Sequence, residues 1–384
     1  MSFRSSSRKV YHGFLRVLRV ASRPVRRDLG HRGLAIQPYR GFGTKKKIYL
    51  MGRVFRQPQF GRRLREATVI RDVVDIARRI GRWGLGGATL VARFNGTETR
   101  LTTDRDGYFH LHMELESPPS TEELWHRVDL ELHHRDEVIT DVAEVFIPSD
   151  SARFVVVSDI DDTVMKTGVA NVAVMLYRLF VLGAESRTAF PGVPALYRAL
   201  HAGASGEEQN PMLYVSRGPW SIYEVLEEFF NLHRIPVGPV LFLREWGLTL
   251  QRPLPKRSKD HKEELIDRMV EKYYDLPFIL IGDSGQHDPE IYADVIRKYP
   301  DRVMAVYIRD VSDSRSRDRE IEELAREVAT SDVDLLLTAD TTAMARHAAS
   351  RGWISESQLV GVAEGRLDEA TEDVPPAVRN VGVE

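Results

Sequence analysis

Residues 154–163 read Phe154-Val155-Val156-Val157-Ser158-Asp159-Ile160-Asp161-Asp162-Thr163, and this stretch decides the fold. Four apolar residues in unbroken succession suit a strand covered on both faces, since a strand with one wet face would alternate. Similar runs follow at Met212–Val215, Val240–Leu243, Phe278–Ile281, Val303–Ile308 and Leu335–Leu337, separated by stretches of helix length. That grammar is α/β: a Rossmann-like parallel sheet, which binds ligands beyond the carboxyl ends of its strands.

The polar residues that end these runs therefore carry the chemistry. Ser158-Asp159-Ile160-Asp161-Asp162-Thr163 sets three carboxylates on one turn. Like charges so close repel, and a bound cation or a shared proton relieves them. Leu213-Tyr214-Val215 ends in Ser216-Arg217-Gly218, a hydroxyl and backbone amides at a helix entrance, where a phosphate oxygen is readily held. Phe278–Ile281 ends in Gly282-Asp283-Ser284-Gly285-Gln286-His287-Asp288, with two further acids. Upstream lies the amphipathic stretch Asp260–Tyr274, with Lys262 in its first turn, placed to reach the same rim.

Before Pro148 the pattern differs. Ile48–Val54, Ala88–Phe94, Phe109–Leu115 and Val128–Leu132 read as short strands, with Asn95-Gly96 and Asp106-Gly107 as tight-hairpin turns. An antiparallel β-sandwich is expected, interrupted over 61–83 by a charged stretch with helical character at Ala67–Ile80. His110, His112, His133 and His134 alternate on strands that already have an apolar face, so they are read as solvent-facing rather than as a metal cluster.

Residues 1–47 hold 13 Lys or Arg against the single acid Asp28, whereas the remainder holds 41 basic and 55 acidic residues, so +12 faces −14. Val10, Phe14, Val17 and Leu18 recur at helical spacing among Arg8, Lys9, Arg16 and Arg19, a pattern suited to an anionic membrane surface. Charge alone would also attract nucleic acid, but no specific nucleic-acid binding is expected. Without cysteine there is no disulfide, thiol nucleophile or thiolate zinc site, and any metal must be held by oxygen or histidine. No long uncharged apolar run occurs, so the chain is expected in the cytoplasm, or peripheral at the inner membrane face. The 384 residues divide by expectation into a basic arm (1–46), the β-sandwich domain (47–148), the α/β domain (149–364) and a disordered tail (365–384).

In order, Asp-x-Asp-x-Thr, Ser, Lys and Asp-x-x-x-x-Asp on successive strand ends and a helix resemble the haloacid dehalogenase superfamily. More narrowly, the strings Ser158–Thr163, Phe190-Pro191-Gly192-Val193, Tyr214–Pro219 and Leu280–Asp288 resemble the phosphatidate phosphatase family typified by a yeast actin-patch protein. The resemblance covers about residues 150–310 and implies Mg²⁺-dependent hydrolysis of phosphatidate to diacylglycerol and phosphate.

It implies Asp159 as nucleophile, forming an aspartyl-phosphate, and Asp161 as the acid and base. It further implies Mg²⁺ held by Asp159, the Asp161 carbonyl and Asp283, with Asp288 as an outer or alternative ligand. Ser216 and Lys262 would bind the transferring oxygens, and Thr163 would brace the motif loop. Lys256 and Lys259 compete with Lys262, which is preferred because its helix runs back to the Asp283 strand. Arg217 and His287 adjoin the site without a role. The nearly uncharged Val169–Ala184 stays open between a guard of lipid access and a buried core helix. A phosphomonoesterase acting on a soluble metabolite or a phosphoprotein is the alternative function, and a non-catalytic membrane or scaffold module a second. Protein partners are not legible.

Overall fold

A computed structural model describes residues 33–56, 82–120, 123–160, 163–164, 189–220, 223–244, 258–273, 275–312, 314–329 and 333–372. Every α/β run expected as a strand is one: β10 (Val155–Asp159), β11 (Met212–Pro219), β12 (Val240–Arg244), β13 (Phe278–Asp283), β14 (Val303–Arg309) and β15 (Asp334–Thr338). They form one parallel sheet in the order β12-β11-β10-β13-β14-β15. The order reverses between β10 and β13, and such a reversal opens a crevice at the carboxyl ends of the two strands.

Both faces of the sheet are covered, which is why its strands do not alternate. Val156, Tyr214, Ile279 and Tyr307 enter one core with helices α1 (Val193–Ala202), α2 (Tyr223–Leu232), α6 (Thr341–Ser350) and α7 (Glu356–Glu372). Val155, Val157, Leu213, Leu280 and Val306 enter the other, with α3 (Ser258–Lys272), α4 (Asp288–Lys298) and α5 (Arg315–Val328). The helix starts carry local signals. Pro194 and Pro289 occupy first-turn positions of α1 and α4, and the Asp340 side chain accepts from Thr342 N at 2.9 Å to cap α6.

The second sheet contains β1 (Leu34–Pro38), β2 (Gly41–Gly43), β3 (Lys47–Arg56), β4 (Trp83–Gly84), β5 (Thr89–Phe94), β6 (Thr97–Thr102), β7 (Tyr108–Glu114), β8 (Trp125–His134) and β9 (Glu137–Phe146). Its path is β1-β3-β2-β9-β8-β5-β6, with β4 and β7 also on β3, and the inward residues of its strands share one core. The pairings are antiparallel except β2 with β9, so the sheet is mixed rather than wholly antiparallel. The exception comes from Gly41-Phe42-Gly43, squeezed between β3 and β9. A Cβ on either glycine would fall closer than 3.0 Å to a carbonyl oxygen of β3.

Asn95-Gly96 closes the two-residue hairpin β5–β6, with φ of 48° and 82°. Asp106-Gly107 is a turn, but not a hairpin as expected: β7 pairs with β3 and not with β6. Two expected boundaries also move. The sheet begins at Leu34, so the end of the expected basic arm contains β1 and β2; its Lys45 pairs with Asp150, and Lys47, just past it, pairs with Glu114. Helix α7 runs to Glu372, overlapping the tail expected from 365. The arm's apolar positions Val10–Leu18, the stretch Ala67–Ile80 and the segment Val169–Ala184 lie outside the described residues.

Candidate active site

Four of the sequence-derived site residues meet at the crevice. Asp159 ends β10, Asp283 ends β13, Asp288 begins α4 and Lys262 lies in α3. Ser158 pairs with Ile281 across β10 and β13, which brings the ends of these strands level. Lys262 Nζ donates to Asp159 Oδ1 at 2.7 Å and to Asp288 Oδ1 at 2.6 Å. All four side chains are buried. Burial pulls the Lys262 ammonium down, but the Asp159 and Asp288 carboxylates outweigh it and hold the lysine charged, well above its ordinary value. Among the described side chains of the three candidate lysines, Lys262 reaches the acids, and that of Lys259 is not described. Lys259 lies one turn earlier in α3, and Lys256 is outside the described residues.

Local sequence dictates this arrangement. Asp288 Oδ2 accepts from Asp283 N at 3.2 Å, folding the turn after β13 back on itself. A Cβ on Gly282 would fall closer than 3.0 Å to that same Asp288 oxygen, so only glycine permits the approach. Tyr292 OH, one turn into α4, donates to Ile281 O at 3.0 Å and fixes the helix against its strand. Ser284 Oγ accepts from Val311 N at 2.9 Å, tying the loop after β13 to the one after β14.

Ligand atoms of Asp159, Asp283 and Asp288 lie within 4.8 Å of one another, the one such acidic or histidine group among the described residues. Three carboxylates and one ammonium sum to −2, and the donors are all hard oxygens. The set thus fits a hard divalent cation of the magnesium or calcium type. The histidines of the β domain supply no such cluster among the described residues; His110, His112 and His133 are exposed.

Ser216 is buried one residue past Val215, the register partner of Asp159, so it stands on the same rim one strand away. Ile160 N donates to Val215 O at 3.1 Å and joins the two strand ends. Thr163 is buried, and its Oγ1 has no hydrogen-bond partner among the described residues. Asp161 lies outside the described residues. Arg217 is within β11, and His287 precedes α4 without capping it by its side chain.

Three supporting groups escaped sequence reasoning. Tyr197 OH lies 2.6 Å from Ser158 Oγ behind the first motif strand, and burial pushes this phenol up, opposed by that hydrogen bond. Arg309, the register partner of Asp283, is buried and donates to Thr341 Oγ1 at 3.0 Å and Ala339 O at 3.3 Å. Burial brings its guanidinium down to about 10, opposed by Tyr197 and Asp340. Its position ending the run Val303–Ile308 was the available signal. The third, the contact of Tyr39 with Trp220, joins residues with no sequence relation.

Such a rim, with acids on neighbouring strand ends bridged by a lysine, has the charge and the donors to hold a divalent cation. Residues 154–310 match the family described as phosphatidate phosphatase APP1, catalytic domain. The chain is similar to phosphatidate phosphatase APP1 of Saccharomyces cerevisiae, with 31% identity over 160 residues, 42% of this chain and 26% of that protein. It is also similar to an uncharacterized protein of Schizosaccharomyces pombe, with 27% identity over 156 residues, 41% of this chain and 25% of that protein. The match thus spans about a quarter of the length of these curated relatives. Among solved structures, a carbohydrate acetylesterase from Xanthomonas citri overlays at 10% identity and a TM-score of 0.28, over 78% of this chain and 66% of that one, too little to define a fold.

Proposed function

We propose that the protein is a Mg²⁺-dependent phosphatidate phosphatase with a catalytic domain of the haloacid dehalogenase type, releasing diacylglycerol and inorganic phosphate. The observation that carries the reading is the buried Lys262 bridging Asp159 and Asp288, with Asp283 beside them at the strand-order reversal. Strand order and motif order agree with that type of fold, with β1–β9 as a preceding domain.

In this mechanism the Asp159 carboxylate attacks phosphorus, the bond to the lipid oxygen breaks, and Asp161 supplies the proton the departing alkoxide needs. Water then attacks the aspartyl-phosphate and gives its proton to Asp161, phosphate leaves, and the Asp159 carboxylate is restored. Lys262, by holding Asp159 Oδ1, fixes the direction of the carboxylate. Ser216 and the neighbouring backbone amides bind phosphoryl oxygens. Thr163 braces the loop that carries Asp161. Mg²⁺, held by Asp159, Asp283 and the Asp161 carbonyl with Asp288 alongside, would lessen repulsion between the attacking and the attacked anions.

The lipid assignment rests on the similarity to APP1. Residues 1–32 are read as drawing the enzyme to an anionic membrane surface from the cytoplasmic side. No helix of the described residues is long and apolar enough to cross a membrane. Phosphate release from phosphatidate in mixed micelles tests the reading. Release should stop in EDTA, return with Mg²⁺, and exceed that from water-soluble esters. Equal or better turnover of soluble esters would favour a soluble-metabolite phosphatase.

A further inference from the structure

The two sheets meet through aromatic rings that grip the chain just after Ser216. Tyr39, between β1 and β2, stacks on Trp220 with centroids 4.1 Å apart and planes inclined by 22°, and meets Tyr223 at 4.8 Å. Tyr39 and Trp220 are 2% and 4% exposed. Trp220 also rests on Phe242 of β12, with centroids 4.5 Å apart. Tyr39 is fixed by its own sheet, its N donating to Met51 O of β3 at 2.9 Å. The next residue adds polar ties across the same interface: Arg40 N donates to Tyr223 OH at 2.9 Å and its guanidinium pairs with Glu227, while Glu144 of its own sheet holds that guanidinium at 3.2 Å.

What lies between Ser216 and Trp220 makes this grip consequential. Ser216 pairs with Phe242, but the register shifts before Pro219 pairs with Arg244, so the chain leaves the regular ladder just where the hydroxyl is presented. An irregular stretch is fixed by what holds its ends. One end is Val215, registered against Asp159; the other is Trp220, clamped between Tyr39 and Phe242.

We propose that Tyr39 is a positioning residue of the phosphatase site: through Trp220, the β domain holds the 216–219 stretch in the shape that binds phosphoryl oxygens. This gives the preceding sheet a role in the chemistry, and it rests on the reading of Ser216 as a phosphate ligand. The opposite side of the same strand connection supplies a control. Phe42 stacks on Tyr49 at 5.4 Å and meets Tyr273 at 5.9 Å, in the core on the other face of the parallel sheet.

The test uses the full chain with Mg²⁺, comparing Tyr39→Ala, Tyr39→Phe and Phe42→Ala. It reads calorimetric binding of inorganic phosphate, kcat and KM for p-nitrophenyl phosphate, and hydrogen exchange of amides 216–219. Tyr39→Ala should weaken phosphate binding and raise KM by about tenfold each, the scale of a lost aromatic stack, with a smaller change in kcat. It should also speed exchange at 216–219. Tyr39→Phe keeps the ring and should restore all three. Phe42→Ala should lower the melting temperature yet leave phosphate affinity within about twofold, because it loosens the core without releasing Trp220. Tyr39→Leu replaces Tyr39→Ala if the latter no longer melts cooperatively. Phosphate affinity unchanged in Tyr39→Ala, or lost equally in Phe42→Ala, overturns the proposal. If the wild type binds no phosphate, the phosphatase reading falls, and exchange at 216–219 still decides the positioning role: unaltered exchange rejects it.

Discussion

Lys262 Nζ stands 2.7 Å from Asp159 Oδ1 with both side chains out of solvent, so the end of the first α/β strand is held by a helix that begins some hundred residues later in the chain. The same ammonium reaches Asp288 at 2.6 Å. Removing water from these charges is costly, and each ion is tolerated only because the others are present.

Replacing Lys262 with Met should therefore expose the repulsion among the acids. In EDTA the variant should lose roughly 3–5 kcal/mol of stability, the scale for breaking a buried ion pair. Added Mg²⁺ should restore part of it. Urea melts with and without the metal measure both effects. A variant as stable as wild type in EDTA would contradict the ion triad.

Gly282→Ala should damage the site without touching an acid. The added methyl would fall closer than 3.0 Å to Asp288 Oδ2, so Asp288 must move away from Asp283 N and from Lys262. Overpacking of this kind costs about 1–3 kcal/mol. The Mg²⁺ concentration needed for half-maximal phosphatase activity should rise together with a fall in melting temperature. An unchanged metal requirement would show that Asp288 plays no part.

His201 gives the fold a pH dependence away from the site. Burial lowers the proton affinity of its imidazole, opposed by the hydrogen bond to Asn210 O at 2.7 Å. The folded value thus lies below the unfolded one, near 6.5. Above that pH both states are neutral and the contribution to stability is constant. As pH falls through it, the unfolded chain takes the proton first and stability drops. Melting temperatures from pH 8 to 5 should decline less in His201→Gln than in wild type, and parallel curves would remove His201 as the cause.

Deleting residues 1–32, rather than the longer arm suggested by charge alone, leaves β1 and β2 intact. The deletion removes nine basic residues and one acid. Each basic residue near an anionic surface contributes about 1 kcal/mol, so sedimentation with anionic vesicles at low salt should fall sharply. Hydrolysis of a soluble ester should stay within about twofold. Equal vesicle binding by both proteins would dismiss the arm.

The parallel sheet was legible because burial on both faces forces unbroken apolar runs, and the acids because chemistry collects where those runs stop. Lys262 was preferred because its helix returns toward the Asp283 strand, but three lysines within seven residues, Lys256, Lys259 and Lys262, left the choice open in the sequence. The mixed pairing in the first sheet was not. Gly41-Phe42-Gly43 is too short to show a period, and its need for glycine comes from β3 and β9, which lie elsewhere in the sequence. Asp106-Gly107 carried the chemistry of a turn but not the identity of the strand that β7 would join. Tyr39 and Trp220 are 181 residues apart (220 − 39), and neither carries a local signal that it will meet the other.

Phosphate release from phosphatidate by purified Asp159→Asn beside the wild type, both with Mg²⁺ and both shown to melt cooperatively, decides whether Asp159 is the nucleophile of a phosphatidate phosphatase. The amide keeps the volume and cannot attack phosphorus, so the wild type should release phosphate and the variant none above background. Release by Asp159→Asn at a rate near wild type would contradict the mechanism, and no release by folded wild type would contradict the function.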